Sequence, residues 1–312
     1  MAVRLLMKAS IDQIVDEGGD IRSFYFKPED RGHFPPVPAG AHTLLRVAKG
    51  MMRQYSLCTP PGDSRYRVAI RLDAFGRGGS RVMHEAARVG DVFYLSYPQP
   101  DFPLDPDRPS YSFFAGGVGI TPILSFLYAL RGRACRIRLC YFARADGAVP
   151  FEQEVRTLCP QVEIFNPTKN RPVNFKDLLR GSRDDAIYCC GGTRFVAGMQ
   201  QAAEVLGLGD IHVESFVSVV KAGYLGEPFV VDLPRSRHVL QVPSDRTMLE
   251  VLLEDGVDID YACEAGVCRS CIVDVIEGEI IHRDQCLTDE ERRTLMTPCV
   301  SRGRGRTVIN SL

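Results

Sequence analysis

The sequence has almost no charge imbalance, no long apolar run and no histidine cluster. Its 312 residues carry a formal net charge of -1, so charge gives no reason to expect nucleic acid or an anionic membrane as a partner. No apolar stretch reaches the roughly 20 residues that span a bilayer. Met1 to Ser10 is short and interrupted by Arg4 and Lys8, unlike a secretory signal. No internal repeat or low-complexity tract occurs. His33, His42, His84, His212, His238 and His282 have no metal-ligand spacing with one another. The length predicts two or three domains, and an apolar content of 45% is enough for real cores. The expectation is a cytoplasmic protein.

What the sequence does have is cysteine, eleven in all. That number in a chain of this length does not read as a disulfide framework, and a reducing compartment fits. Cys135, Cys140, Cys189 and Cys190 lie in apolar runs and are expected to pack as small core residues, as is Cys286. Cys263, Cys268 and Cys271 are spaced C-x4-C-x2-C, and Cys299 follows after a long gap. This is the plant-type ligand pattern of a [2Fe–2S] cluster, in which each of two irons takes two terminal thiolates. Gly266 lets the loop turn tightly. Structural zinc, which usually takes two short hooks of paired cysteines, is an alternative; simple core packing is another.

Residues 1–105 hold short alternating segments, at 21–26, 43–47 and 66–72, separated by turns such as Pro35-Pro36-Val37-Pro38 and Pro60-Pro61-Gly62. This predicts an antiparallel β-barrel. Arg53-Gln54-Tyr55-Ser56-Leu57 is read as a strand with Arg53, Tyr55 and Leu57 on one face. A ring beside a hydroxyl and a guanidinium suits a flat heterocycle with a phosphate tail; a strand with a surface arginine is the alternative. Gly76-Arg77-Gly78-Gly79-Ser80 precedes an expected helix from Arg81 to Arg88, with Ser80 as N-cap. Its glycines would let backbone N–H groups approach a phosphate, with Arg77 and Arg81 flanking. A hairpin tip is the alternative.

Residues 106–222 change period. The apolar segment Tyr111 to Ala115 runs into Gly116-Gly117-Val118-Gly119-Ile120-Thr121-Pro122 and an apolar helix from Ile123 to Leu130. Thr121 is expected as N-cap and Pro122 as N1. Further strands at 137–142 and 186–190 alternate with a helix at 151–158, which predicts a parallel α/β sheet. A glycine-rich strand-to-helix turn is the usual seat of a dinucleotide pyrophosphate. The turn is not the G-x-G-x-x-G fingerprint, and glycines needed only for packing are the alternative. Gly223, Gly226 and Pro228 mark a linker at 223–228. Residues 229–312 then read as a hairpin (229–233 and 238–242), a helix at 247–255 capped near Thr247, the cysteine loop, a strand from Cys271 to Ile276, a turn at Gly278, and a segment from Leu295 to Ser301 carrying Cys299.

Arg-x-Tyr-Ser, the Gly-Gly-Ser loop, Gly-Gly-Val-Gly-Ile-Thr-Pro, Cys190-Gly191-Gly192 and the cysteine pattern occur in an order that resembles the phthalate dioxygenase reductase family, over nearly the whole chain. The resemblance implies an FMN-binding barrel, an NAD(H)-binding α/β domain and a C-terminal β-grasp ferredoxin domain. It implies that Tyr55 and Ser56 lie against the isoalloxazine, that Ala69, Ile70 and Arg71 form a flavin-lining strand, and that Arg53 with Gly78, Gly79 and Ser80 holds the phosphate. A direct phosphate cradle points to FMN over FAD. Gly117, Gly119, Thr121, Cys190 and Gly191 then line the nicotinamide site, and Phe216 covers the flavin until nicotinamide displaces it. Ser56, Thr121, Cys190 and Phe216 are the implied catalytic positions. Glu214 is either part of that site or a structural carboxylate. Arg144 and Asp146 give no clear choice of nucleotide, and the family habit favours NADH.

The implied mechanism is NADH to FMN, FMN to the cluster in single steps, and the cluster to an external acceptor, because a hydride carries two electrons and a cluster takes one. No Rieske, haem or mononuclear-iron pattern accompanies the motifs, so the acceptor is not in this sequence. The resemblance implies a terminal Rieske non-haem iron oxygenase acting on an aromatic acid, a methoxybenzoate or a quaternary amine. A cytochrome P450 partner or a stand-alone reductase of small acceptors is the alternative, and a redox sensor is disfavoured because it needs no nicotinamide site. A monomer is expected. Arg269 stands where many relatives have glycine, and it is expected to add positive charge and hydrogen bonding near the sulfurs. Arg302, Arg304 and Arg306 are read either as a solvated basic tail or as a docking site for an acidic partner.

Overall fold

The computed structural model describes residues 6–48, 51–74, 76, 78–143, 148–166, 173–216, 226–262, 264 and 266–310. The chain divides into two compact units: one holds residues 1–47 and 54–217, the other residues 48–53 and 218–312. Among the described residues no helix is long and apolar enough to cross a membrane.

The first unit contains two sheets, except that Ala48 and residues 51–53 of the first are counted with the second unit. Strands β1 (Leu6–Gly18), β2 (Ile21–Pro28), β3 (His42–Ala48), β4 (Met51–Ser56), β5 (Tyr66–Arg71) and β6 (Val92–Ser96) are ordered β4-β3-β6-β1-β2-β5. Among the described residues β1 pairs antiparallel with β2 and β6, β2 with β5 and β3 with β6, and an antiparallel bridge between Leu57 and Val68 brings the end of β4 to β5, as barrel closure requires. The clean alternation expected around Arg53 is not observed: Met52, Arg53, Ser56, Leu57 and Cys58 are all buried. Met52 and Arg53 are covered by Tyr261 and Glu264, which belong to the same unit as residues 48–53.

Strands β7 (Ser110–Gly116), β8 (Arg136–Phe142), β9 (Val162–Phe165), β10 (Ala186–Gly191) and β11 (Ile211–Ser215) form a parallel sheet ordered β11-β10-β7-β8-β9. The order turns outward at β7, so the ends of β7 and β10 meet at a topological switch point. One core joins this sheet to the barrel through Ile21, Cys58, Ala69, Phe113, Phe126 and Tyr188. A second core covers the opposite face with Phe114, Cys189 and Met199. Cys140, Cys189 and Cys190 are fully buried as expected, whereas Cys135 is only half-buried.

The helices correct several boundaries. The Gly-Gly-Ser loop opens a single helical turn, α1 (Gly79–Arg81), followed by one wide turn from Val82 to Ala86, and Ala87 is already extended. Ser80 is not the N-cap. Gly78 is, with φ +84, and the Ser80 hydroxyl is occupied in accepting the Asp73 N–H at 3.0 Å. Helix α2 (Ile120–Leu130) begins at Gly119, after a 3-10 turn over Gly117–Gly119, so Thr121 is its second residue. Thr121 Oγ1 donates back to the Val118 carbonyl at 3.0 Å. Helices α3 (Glu152–Leu158), α4 (Phe175–Arg180) and α5 (Thr193–Val205) complete this part of the unit.

The second unit holds β12 (Phe229–Leu233), β13 (His238–Val242), α6 (Met248–Glu254), β14 (Val273–Ile281), β15 (Leu295–Met296) and β16 (Arg302–Ile309), with sheet order β13-β12-β16-β14-β15. The β12–β16 pair is parallel and the others antiparallel, the mixed sheet of a β-grasp domain. Helix α6 starts with a capping box, Thr247 and Glu250 bonding each other's backbone N–H groups. Gly278 is not a turn. It lies inside β14 at a bulge, with φ +121, where a Cβ would meet the Arg306 oxygen at 2.8 Å. In the segment from Leu295 to Ser301 the strand is confined to Leu295–Met296, because Val300 and Ser301 donate to the Thr297 carbonyl and turn the chain.

Candidate functional site

In the first unit, the turn after β7 lies beside the end of β10. Gly117 has φ +58 and open space where a Cβ would point, as a backbone cradle for a ligand requires. Gly119 instead makes contact: a Cβ there would be 2.3 Å from the Cys190 oxygen and 2.8 Å from the Gly191 nitrogen. Phe195, which the sequence did not single out, rests on Gly116 and Gly191, whose added Cβ atoms would meet its ring at 2.9 and 2.8 Å. These three contacts seat α2 and α5 against the sheet edge.

Cys190 is fully buried and its thiol donates to Glu214 Oε2 at 3.7 Å. Their strands put the two residues in register. Burial pushes the Cys190 thiol well above the ordinary range. Burial also pushes the Glu214 carboxyl up to about 7, with the Cys190 hydrogen bond opposing and Asp101 adding to the rise. Phe216 follows β11 and is partly exposed. Arg144, Asp146 and Arg77 lie outside the described residues.

The flavin side of the prediction rests on β4, β5 and the Gly78 loop. Ser56 is buried, and among the described residues its hydroxyl has no hydrogen-bond partner. A buried hydroxyl left in this way costs stability unless a ligand completes it, so the residue fits a flavin edge. Tyr55 is half-buried, Ala69 and Ile70 are buried, and Arg71 is exposed. Gly78, like Gly117, has a positive φ and open space at its Cβ position. His84, missed by the sequence reading, is buried with Nε2 2.8 Å from the Ile70 oxygen, which fixes the end of β5. Arg53 is buried in the second unit, where it donates to the Met52 oxygen at 2.8 Å, lies 5.3 Å from the Tyr261 ring centroid and is 3.9 Å from Glu264. Its charge is therefore partly met within the protein.

Also in the second unit, Cys268, Cys271 and Cys299 are buried together, and Cys263 lies outside the described residues. The Cys271 thiol, with burial, pushes the Cys299 thiol up, while the Gly266 N–H pulls it down. Two thiols in mutual contact, with a backbone donor aimed at one sulfur, fit a pair of thiolate ligands once metal displaces the protons. Gly266 has φ +72, and a Cβ there would meet Val300 Cγ2 at 2.7 Å.

Arg269 also adopts a left-handed φ, +62, which explains why glycine suits that position. Its guanidinium forks onto Glu291 and the Cys286 carbonyl, so its charge is met by that carboxylate. That hydrogen bond and the Thr288 N–H hold the Glu291 carboxyl down at about 2. The basic tail is likewise not free: Arg302 is buried and donates to three carbonyls, while Arg304 pairs with Glu279 and Arg306 with Asp232.

A switch-point glycine turn, a buried hydroxyl with no hydrogen-bond partner among the described residues and converging thiols fit a nicotinamide-dependent flavin and iron–sulfur oxidoreductase. Residues 231–302, which contain all four pattern cysteines, match the 2Fe-2S iron-sulfur cluster binding domain family. That match favours [2Fe–2S] over zinc. The chain is 34% identical to a vanillate O-demethylase oxidoreductase of Pseudomonas sp. strain HR199, over 94% of this chain and 96% of the relative. Its fold superposes on the structure of a phthalate dioxygenase reductase, described as modular for electron transfer from pyridine nucleotides to [2Fe-2S], with a TM-score of 0.73, 32% identity and 98% of each chain covered. It also superposes on an intact type IV self-sufficient cytochrome P450 monooxygenase, with a TM-score of 0.74 and 28% identity, over 97% of this chain and 41% of that one. The chain belongs to the phthalate dioxygenase reductase family. Its cofactors are FMN, NADH and a [2Fe–2S] cluster.

Proposed function

We propose that this chain is the reductase component of a multicomponent oxygenase and passes electrons from NADH to a terminal Rieske non-haem iron oxygenase acting on an aromatic acid, a methoxybenzoate or a quaternary amine. The observation that carries this reading is the likeness, over nearly the full length of both chains, to a vanillate O-demethylase oxidoreductase. In this reading residues 1–105 form the flavin domain, 106–222 the nicotinamide domain, 223–228 the linker and 229–312 the ferredoxin domain.

FMN, when bound, takes a hydride and gives up its electrons one at a time, which matches a two-electron donor to a one-electron cluster. The residues' task is mainly to bind and orient. The Ser56 hydroxyl and Tyr55 meet the flavin edge, with Ala69, Ile70 and Arg71 along the adjoining strand. Gly78, Gly79 and Ser80 offer backbone and hydroxyl groups to the phosphate, and Arg53 supplies positive charge. Gly117 and Gly119 shape the pyrophosphate turn. Thr121, Cys190 and Gly191 border the nicotinamide, and Phe216 shields the flavin in its absence. Cys263, Cys268, Cys271 and Cys299 are the four thiolates. The reading also takes the protein as a cytoplasmic monomer.

The test is anaerobic mixing of NADH and a catalytic amount of this protein with the Rieske oxygenase encoded nearest to it. Bleaching of the Rieske absorbance at a rate matching turnover is the expected result. Reduction of a cytochrome P450 instead, or of ferric chelates alone, would contradict the Rieske assignment.

A further inference from the structure

Between the barrel and the parallel sheet, within the first unit, a half-buried carboxylate meets three donors. Glu154, on α3, accepts from Arg67 Nη1 at 3.0 Å, from Arg67 Nη2 at 2.6 Å and from the Tyr128 hydroxyl at 2.5 Å. The Arg67 side chain is only 4% exposed and that of Glu154 23%. Arg67 also donates through Nε to the Cys58 carbonyl at 2.9 Å, and its own carbonyl accepts the Cys58 N–H at 2.9 Å. Its guanidinium lies 6.0 Å from the Tyr25 ring centroid and 5.7 Å from that of Phe151. Phe151 itself holds φ +60 as the N-cap of α3, an uncommon conformation for a large residue, maintained where it fixes the start of the helix that carries Glu154.

The elements joined here are those that reach the proposed reacting groups. Arg67 is on β5, two residues before Ala69, and it is bonded to Cys58, two residues after Ser56. Tyr128 is on α2, two helical turns after Thr121. A bidentate arginine–carboxylate fork is rigid in plane and distance, and the tyrosine hydroxyl locks the same carboxylate to α2. Hydride transfer needs donor and acceptor about 3–3.5 Å apart, and a misplacement of about 1 Å can cost on the order of 100-fold.

We propose that Glu154 is a positioning residue: with Arg67 and Tyr128 it sets the spacing between the flavin strands and the nicotinamide turn. This rests on the flavin and nicotinamide sites assigned above. The test uses the full chain with FMN bound and the variants Tyr128→Phe and Glu154→Gln. One readout is the charge-transfer absorbance of the reduced protein with NAD+, which reports stacking of nicotinamide on flavin; the other is flavin reduction at saturating NADH. Tyr128→Phe is expected to lower the charge-transfer absorbance at least about twofold and the limiting reduction rate about tenfold, and Glu154→Gln more, with FMN content and NADH affinity unchanged. Should Glu154→Gln not fold, Tyr128→Phe alone decides. Absorbance and rate within twofold of the unsubstituted protein, alongside a lowered melting temperature, would reduce the cluster to a structural brace. Absence of the band from the unsubstituted protein would overturn the site assignment and the clamp together; an intact band that the variants leave unchanged overturns the clamp alone.

Discussion

Gly119 and Cys190 touch through their backbones: a methyl group on Gly119 would lie 2.3 Å from the Cys190 carbonyl oxygen. Gly119 has φ -62, which any residue can adopt, so glycine is needed for the contact and not for the turn. Backbone cannot yield as a flexible side chain can. Gly119→Ala is expected to lift α2 from the end of β10, at a cost of about 1–3 kcal/mol. Flavin reduction by NADH should slow at least about tenfold, with FMN retained. Thermal denaturation and stopped-flow absorbance check the two effects. An unchanged reduction rate would show that the turn does not shape the nicotinamide site.

Gly266 is required for both reasons. Its φ is +72, and a Cβ would meet Val300 Cγ2 at 2.7 Å and Asp284 Cα at 3.0 Å. Gly266→Ala should abolish the cluster absorbance and its electron paramagnetic resonance signal. Cys268→Ser should do the same. In both variants NADH–ferricyanide activity should persist, because Ser56, Thr121 and Cys190, to which the proposed assignment gives hydride transfer, lie in the first unit. Loss of both activities would contradict that independence.

Arg302 predicts a stability effect where its sequence suggested a solvated tail or a docking site. It donates to the carbonyls of Arg246, Pro243 and Glu227 at 2.7, 2.8 and 3.2 Å, and lies 5.1 Å from the Phe229 ring centroid. Arg302→Met leaves buried carbonyls unpaired and should cost about 2–4 kcal/mol. Arg304→Ala and Arg306→Ala break exposed pairs and should barely move the unfolding midpoint. Urea unfolding followed through the cluster absorbance compares all three.

Glu214 predicts a pH dependence. Burial raises its folded-state pKa to about 7, above the ordinary value of 4.5. Between those values the folded carboxyl keeps a proton that the unfolded chain releases, so its contribution to stability falls as pH rises through this window and is level above it. Glu214→Gln removes the penalty. Its stability relative to the unsubstituted protein should rise by about 2–3 kcal/mol from pH 4.5 to pH 8. Melting temperatures across that range are the check, and parallel curves would contradict the burial argument.

The sequence carried the architecture because each part has its own period and punctuation. Alternation marked the barrel, continuous apolar strands marked the parallel sheet, and C-x4-C-x2-C marked the cluster loop. It misplaced features where side chains compete for local groups. Ser80 and Thr121 are good caps in isolation, yet Ser80 accepts the Asp73 N–H and Thr121 bonds back to Val118. Arg269 and Arg302 look like free charges because their partners, Glu291 and three carbonyls, are distant in sequence. His84 and Phe195 left no signal, since a lone histidine and a helix phenylalanine are ordinary core residues. The Arg67–Glu154 pair, 87 residues apart, was equally invisible without the fold.

The most direct measurement is the absorbance spectrum of the purified protein before and after anaerobic NADH, with the flavin released by acid and identified. A flavin band over a broad iron–sulfur absorption, both bleached by NADH and yielding FMN, is the result predicted. A colourless protein, or a zinc protein without flavin, would contradict the account.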